Sequence, residues 1–417
     1  MFPVSDLTST TVLVRSTPAI FRRIRGQRWG LRLGLLAAVA AVPVAAVPPP
    51  GYEPIDDGHV DFRFCFNGGT WTYGLVWHQA GDPLNGGPAP GVLRPPELSV
   101  LVANDRPYPA GSRIRRPAAP SDDPGRWDFL GVDEGAAMWF FPQGNVGGLW
   151  PGFNVCDDGC DSYFEEDPRV HATSTWRLLR LTNLRYIGKG TGHFSQWTSA
   201  PNGGVTVWVS SIDGVTGQDA FYIGGAGHAH LNTGFSALGL YEASFSMTCF
   251  TGPGKTNPVT SPEVPFYYAV GTYWKWISTH FTPDRWWEQG MIGEQDDPDG
   301  DGVPNLLEYA CGLNPREADA QAYDADLARG LPSLVLEPGS RQGTLKLPRR
   351  TEATFSQLDY VLQHAPDLAG PWSGPLDAVA TPRIEGWDEL CLPILLQGQG
   401  FFRLGVSLRP EMNYPQP

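Results

Sequence analysis

"HVDFRFCFNGGTWTYGLVWH", residues 59–78, reads as two strands joined at Asn67-Gly68-Gly69-Thr70. Glycine tolerates positive φ, so Gly68-Gly69 supplies the two-residue loop that a tight hairpin needs. That loop sets Val60 opposite Trp77, Phe62 opposite Leu75, Phe64 opposite Tyr73 and Phe66 opposite Trp71. One face of the hairpin is then apolar throughout, as a core face must be. The other face carries His59 opposite His78, with Asp61 beside them. A sheet with one apolar face must bury it against a second layer, so the stretch predicts a β-sandwich.

The flanking sequence continues the pattern. "ELSVLVAN", "AMWFFPQ", "WRLLRLTNLRYI", "GVTVWVSS", "DAFYI" and "LYEASFSMTCF" are short, β-branched or aromatic, and bounded by turn residues. Fifty Gly and forty Pro in 417 residues suit strands joined by turns. The Pro/Gly/Thr-rich "FTGPGKTNPVTSPEVP" then reads as a break, and "YWKWISTHF" and "NLLEYACGL" as short helices. Strands return from "LPSLVLEPG" to "GFFRLGVSL". The expected layout is a leader (1–46), a β-sandwich domain (47–252), a linker (253–272), a helix–calcium-loop–helix connector (273–316) and a smaller β domain (330–410).

The leader rests on five arginines, Arg22, Arg23, Arg25, Arg28 and Arg32, ahead of "LGLLAAVAAVPVAA". That is the layout of a secretory signal cleaved after Ala46, with an uncleaved anchor as the alternative. Residues 1–46 hold six Arg and one Asp, so their loss takes the charge from −14 to about −19. Such a balance disfavours nucleic acid and anionic lipid as partners. The expected location is extracellular or at the cell surface, with no transmembrane segment once the leader is gone. An even count of six cysteines suits disulfides outside the cell. Cys156 and Cys160 bracket a tight "DDG" turn and are expected to pair, a C-x3-C zinc half-site being the alternative. Cys65–Cys249 would join the first and last strands of the sandwich, leaving Cys311 and Cys391.

A second histidine pair stands in "GHAHLNTGF", residues 227–235. His228 and His230 fall on one side of a strand, because side chains alternate. Imidazoles with a carboxylate suit zinc, copper, nickel or iron. His59, Asp61, His78, His228 and His230 therefore form a candidate transition-metal set, zinc foremost. The plainer reading of an H-x-H is an exposed polar face. His171, His193, His280 and His364 lie outside the pattern.

"DPDGDGVPNLLE", residues 297–308, is the most specific motif in the chain. Asp297, Asp299 and Asp301 stand at positions 1, 3 and 5 of a twelve-residue calcium loop, with Gly302 at the sharp turn. Val303 would offer its carbonyl, Asn305 would act at position 9, and Glu308 would chelate from position 12. The role expected for calcium is structural, a clip between the two β domains; the alternative is a solvated acidic turn.

Three blocks, "GHVDFRF…GGTWTYGLVWH", "FLGVDEGAAMWFFPQ" and "GHAHLNTGFSALGLYEASF", resemble in this order the bacterial surface domain called choice-of-anchor M, the actinobacterial-type surface-anchored domain, over roughly residues 56–250. The resemblance implies a secreted or cell-surface protein. Some relatives accompany metal-type importers, which agrees with a metal-binding role. It bears on His59 and Asp61 in the first block and on His228, His230 and Asn232 in the last. The family's usual L-H-V-H stands here as "LVWH", leaving His78 alone. The acidic loop and its helices resemble the dockerin-like or thrombospondin type 3-like connectors of bacterial exported proteins. A single loop does not imply cohesin binding.

The chain has no G-x-S-x-G elbow, P-loop or H-E-x-x-H motif. The expectation is a non-enzymatic binding or display protein whose envelope or extracellular partner is not named by any motif. The rivals are a metal-free carbohydrate-binding or adhesive module, which fifteen tryptophans could serve, and a metallohydrolase.

Overall fold

A computed structural model describes residues 12–16, 52–78, 93–156, 176–224, 227–251, 257–351, 358–367, 369–395 and 400–408. The chain is mostly β, with two α-helices among these residues. It divides into two compact units, one of residues 48–284 and one of 285–417 with 1–47.

In the first unit the hairpin forms as expected. His59–Asn67 and Thr70–His78 run antiparallel with His59 facing His78 and Asn67 facing Thr70. Gly68 and Gly69 have φ of 56° and 88°, the left-handed pair that a two-residue turn requires. Val60, Phe62, Phe64 and Leu75 are buried, whereas Tyr73, near the turn, is 36 % exposed. The hairpin belongs to a five-stranded sheet in the order 228–229, 150–155, 59–67, 70–78, 93–94. Trp150–Val155, which no sequence signal had marked, lies parallel to His59–Asn67.

A second sheet runs 205–210, 194–199, 232–235, 137–141, 113–115. A third is built on Trp176–Gly188 and Gly239–Thr251, paired from Leu178 opposite Thr248 to Gly188 opposite Gly239 apart from a bulge between Leu181 and Asn183. Its Phe245, Phe266 and Tyr268 pack in one core with Phe62 and Phe153 of the first sheet and Phe141, Phe194 and Phe235 of the second. The unit is thus a layered β structure, as its alternating strands require.

The linker expected over 253–272 holds two strands among its described residues. Asn257–Thr260 pairs with Gly239–Thr251, and Val264–Val270 lies between that strand and Ser99–Ala103. "VPFYYAV" buries Phe266 and Tyr268 completely, and that burial outweighs the proline-rich approach. The connector expected over 273–316 is divided as well. Its first helix, Thr272–His280, belongs to the first unit. Buried Asp105 accepts from the backbone N–H and hydroxyl of Thr272 at 2.6 and 2.7 Å, and from Trp139 Nε1 at 2.9 Å. The Tyr52 hydroxyl donates to Ser278 O near the other end of the helix.

The acidic loop and the second helix, Asn305–Cys311, belong to the second unit. All seven residues of this helix are buried, and Gly312, φ 70°, ends it. Arg350 lies over the Tyr309 and Trp387 rings and donates through Nε to Tyr309 O. The Tyr360 hydroxyl donates to Ala310 O. The β part comprises Ser333–Leu336, Gln342–Arg350, Trp387–Leu395 and Val379–Ile384 in one sheet, and Leu358–Ala365 with Gly400–Leu408 in another. Val12–Ser16, inside the expected leader, runs antiparallel to Gly400–Leu404; a chain cut after Ala46 keeps the other two strands of that sheet. No helix among the described residues is long and apolar enough to cross a membrane.

Neither expected disulfide forms. Cys65 is bonded to Cys156, across ninety-one residues, because the parallel pairing of 59–67 with 150–155 brings them side by side. Cys156 is therefore not bonded to Cys160, which lies outside the described residues, nor Cys65 to Cys249, which is itself in a disulfide. Cys311 and Cys391 are free.

Candidate metal centre

His59 and Asp61 project from the same face of their strand, as residues two apart must. His228–Ala229 pairs with the far edge of 150–155, His228 opposite Asn154 and Ala229 opposite Phe153. Asp61 sits beside Gly152 of that intervening strand. The carboxylate and the later histidines thus come from strands two places apart, about 9–10 Å between axes. Side chains meet over that gap only if the middle strand leaves room. Gly152 leaves it: a Cβ there would lie 2.5 Å from His230 Cε1 and 2.9 Å from Asp61 Oδ1.

His59, Asp61, His228 and His230 each bring one ligand atom into a group whose members all lie within 4.8 Å of one another. Asp61 Oδ1 is 2.6 Å from His228 Nε2 and 3.2 Å from His59 Nε2. The three imidazole centroids are 4.5, 5.0 and 5.2 Å apart. Rings bound through nitrogen at ~2.0–2.1 Å around a tetrahedral ion would have centres about 5 Å apart. His230 Nδ1 donates to Pro151 O at 2.9 Å. In a neutral ring that leaves the lone pair on Nε2, which is buried with no hydrogen-bond partner. Trp150 holds this ring from below, stacked at 3.6 Å and 5°.

Electrostatics agree with that assignment of protons. Burial pushes His230 down to about 4, so it is neutral at pH 7. Burial works to raise Asp61, but hydrogen bonds and charge from His228 and His59 outweigh it and hold the carboxyl below the ordinary carboxylate range. The bond to Asp61 raises His228 in turn, against its burial.

The strand expected through "GHAHLNTGF" is broken in two. His228–Ala229 pairs in the first sheet and Asn232–Phe235 in the second. His230 lies at the crossover. Asn232 is structural: its Oδ1 accepts from Gln143 N and its Nδ2 donates to Ser199 Oγ. His78 faces His59 in the backbone ladder, and its side chain lies outside the described residues. Trp150 and Gly152 carry no sequence signal of their own, since only the parallel pairing makes them neighbours of Asp61.

The acidic loop of the second unit is a separate cluster. Asp297 Oδ1 accepts from Gly300 N and its Oδ2 from Gly302 N, while Asp301 Oδ1 accepts from Val303 N. Gly300 and Gly302 have φ of 77° and 90°, as the sharp turn requires. Asp297, Asp299 and Asp301 form one group of converging ligand atoms, and Asp301, Glu308 and Asp319 another. Glu308 is 0 % exposed and neither of its oxygens has a hydrogen-bond partner. Burial, then Asp299, Asp301, Asp319 and Asp297, push it up to about 9. Asn305 Nδ2 donates to Met291 O and Gly293 O, and its Oδ1 has no partner. Buried Val303 is held through its N–H.

No model of a known protein family matches the chain, and no curated protein matches it.

Proposed function

We propose that this chain is an exported, surface-type binding protein of the choice-of-anchor kind. It holds a transition metal, zinc first, on His59, Asp61, His228 and His230, and calcium on the loop at 297–308. One observation carries the first part: three imidazoles and a carboxylate from distant segments converge, and His230 Nε2 among them is buried without a hydrogen-bond partner. An unsatisfied buried polar atom is costly, and a bound cation relieves it. Four protein donors fill the positions of a tetrahedral ion, the pattern of sites that hold zinc rather than use it in catalysis. That favours a binding role over a metallohydrolase. The Cys65–Cys156 bond favours an oxidising compartment and so export.

The test is elemental analysis of the purified protein beside a His228→Ala/His230→Ala variant. About one equivalent of zinc in the wild type and none in the variant is expected; equal zinc in both rejects the assignment. Copper, nickel or iron in place of zinc would keep the site and change the metal.

A further inference from the structure

We infer that Asp319, which lies eleven residues beyond the calcium loop, is a direct ligand of the cation bound there; the inference rests on the proposed calcium reading. Asp301, Glu308 and Asp319 offer oxygens that lie within 4.8 Å of one another. Calcium binds oxygen at ~2.3–2.6 Å, so ligands on opposite sides of one ion stand about 5 Å apart. The group therefore has the span of a single shell.

Glu308 is the observation that points to a cation. It is fully buried in a packed helix, and both carboxylate oxygens lack a hydrogen-bond partner. Asp299 Oδ2 is buried and unpartnered in the same way. Carboxylates so placed either take up a proton or bind a cation. The charges that act on Glu308 are Asp299, Asp301, Asp319 and Asp297, all of them acidic.

The backbone delivers Asp319 to this place by specific contacts. Ala320 N donates to Asp301 Oδ2 at 2.8 Å, tying the residue after Asp319 to the loop. Asn314 N lies 3.4 Å from Asp319 Oδ1, and Asn314 Oδ1 accepts from Arg316 N. The turn after Gly312 thus folds back on the loop that precedes the helix. A cation bound by both would clamp the two segments, adding an off-loop carboxylate to the loop's own set.

Calorimetric titration of the chelator-stripped full chain with calcium chloride tests this, using wild type, Asp319→Asn, Glu317→Gln and Glu308→Gln. Glu317 is an exposed neighbour and controls for unspecific loss of charge. Asp319→Asn should weaken calcium roughly tenfold or more, since ligand charge sets affinity in such sites. Glu317→Gln should stay within twofold of wild type. If Asp319→Asn also binds like wild type while Glu308→Gln fails, the inference falls and the loop reading stands. Equal weakening by Asp319→Asn and Glu317→Gln also overturns it. A wild type that takes up no calcium overturns both. A second measurement needs no variant: calcium should slow hydrogen exchange at 314–320 together with the loop, and exchange there unchanged by calcium would sink the inference.

Discussion

Gly152 is the residue on which the histidine cluster depends, although it contributes no ligand. Its missing side chain is the space through which Asp61 reaches His228 and His230. The strand is interior to its sheet, so its backbone has little freedom to withdraw. Gly152→Ala should displace the His230 ring, cost about 1–3 kcal/mol as overpacking does, and lower bound zinc. Denaturant unfolding with metal analysis checks this, and unchanged values in both would remove the role given to Gly152. His230 also sets a pH dependence in the metal-free protein. Its folded value is about 4, below the ordinary 6.5. The unfolded chain thus binds the proton more readily between those values, and stability must fall as pH drops from about 6.5 towards 4. His228 acts oppositely: its raised value stabilises the fold at low pH and that contribution is lost as pH rises through it. His230→Gln should flatten the acid-side fall in melting temperature; an unchanged slope would place the titration elsewhere.

At the scale of elements, the parallel pairing of 59–67 with 150–155 carries both the disulfide and the histidine–aspartate cluster. Cys65–Cys156 closes a long loop a few residues from Asp61 and Gly152 on the same two strands. Replacing both cysteines by serine should cost about 2–5 kcal/mol, as loss of a native disulfide commonly does. It should also weaken zinc, because the two strands lose their staple beside the site. Full zinc affinity in a destabilised double variant would show that hydrogen bonding alone keeps the register. The two-residue turn at Gly68-Gly69 was legible because only a left-handed pair closes so short a loop. The parallel strand was not, because its partner lies some ninety residues away and pairing at that range leaves no local trace.

At the scale of the molecule, each unit has its own group of side chains that could hold a cation. A ligand that binds only the folded form raises stability by mass action. Zinc should therefore raise the melting transition of the 48–284 unit and calcium that of the 285–417 unit. His228→Ala/His230→Ala should abolish the zinc shift and keep the calcium shift, and Glu308→Gln the reverse. Scanning calorimetry with each ion reads this directly, and loss of both shifts in either variant would contradict two separate sites.

The amino-acid sequence by itself determined the β class, the hairpin and its register, both helices and the spacing of the acidic loop. Each of these depends on alternation, turn chemistry or a fixed local spacing. It also supplied all four residues of the histidine–aspartate cluster. Only the tertiary structure decided that they meet, that Cys65 bonds Cys156, that 264–270 is a core strand, and that Asp319 faces Glu308. Those outcomes depend on which distant strands become neighbours. In the 48–284 unit that choice is made by burial of its core, to which Phe62, Phe153, Phe245 and Phe266 contribute together.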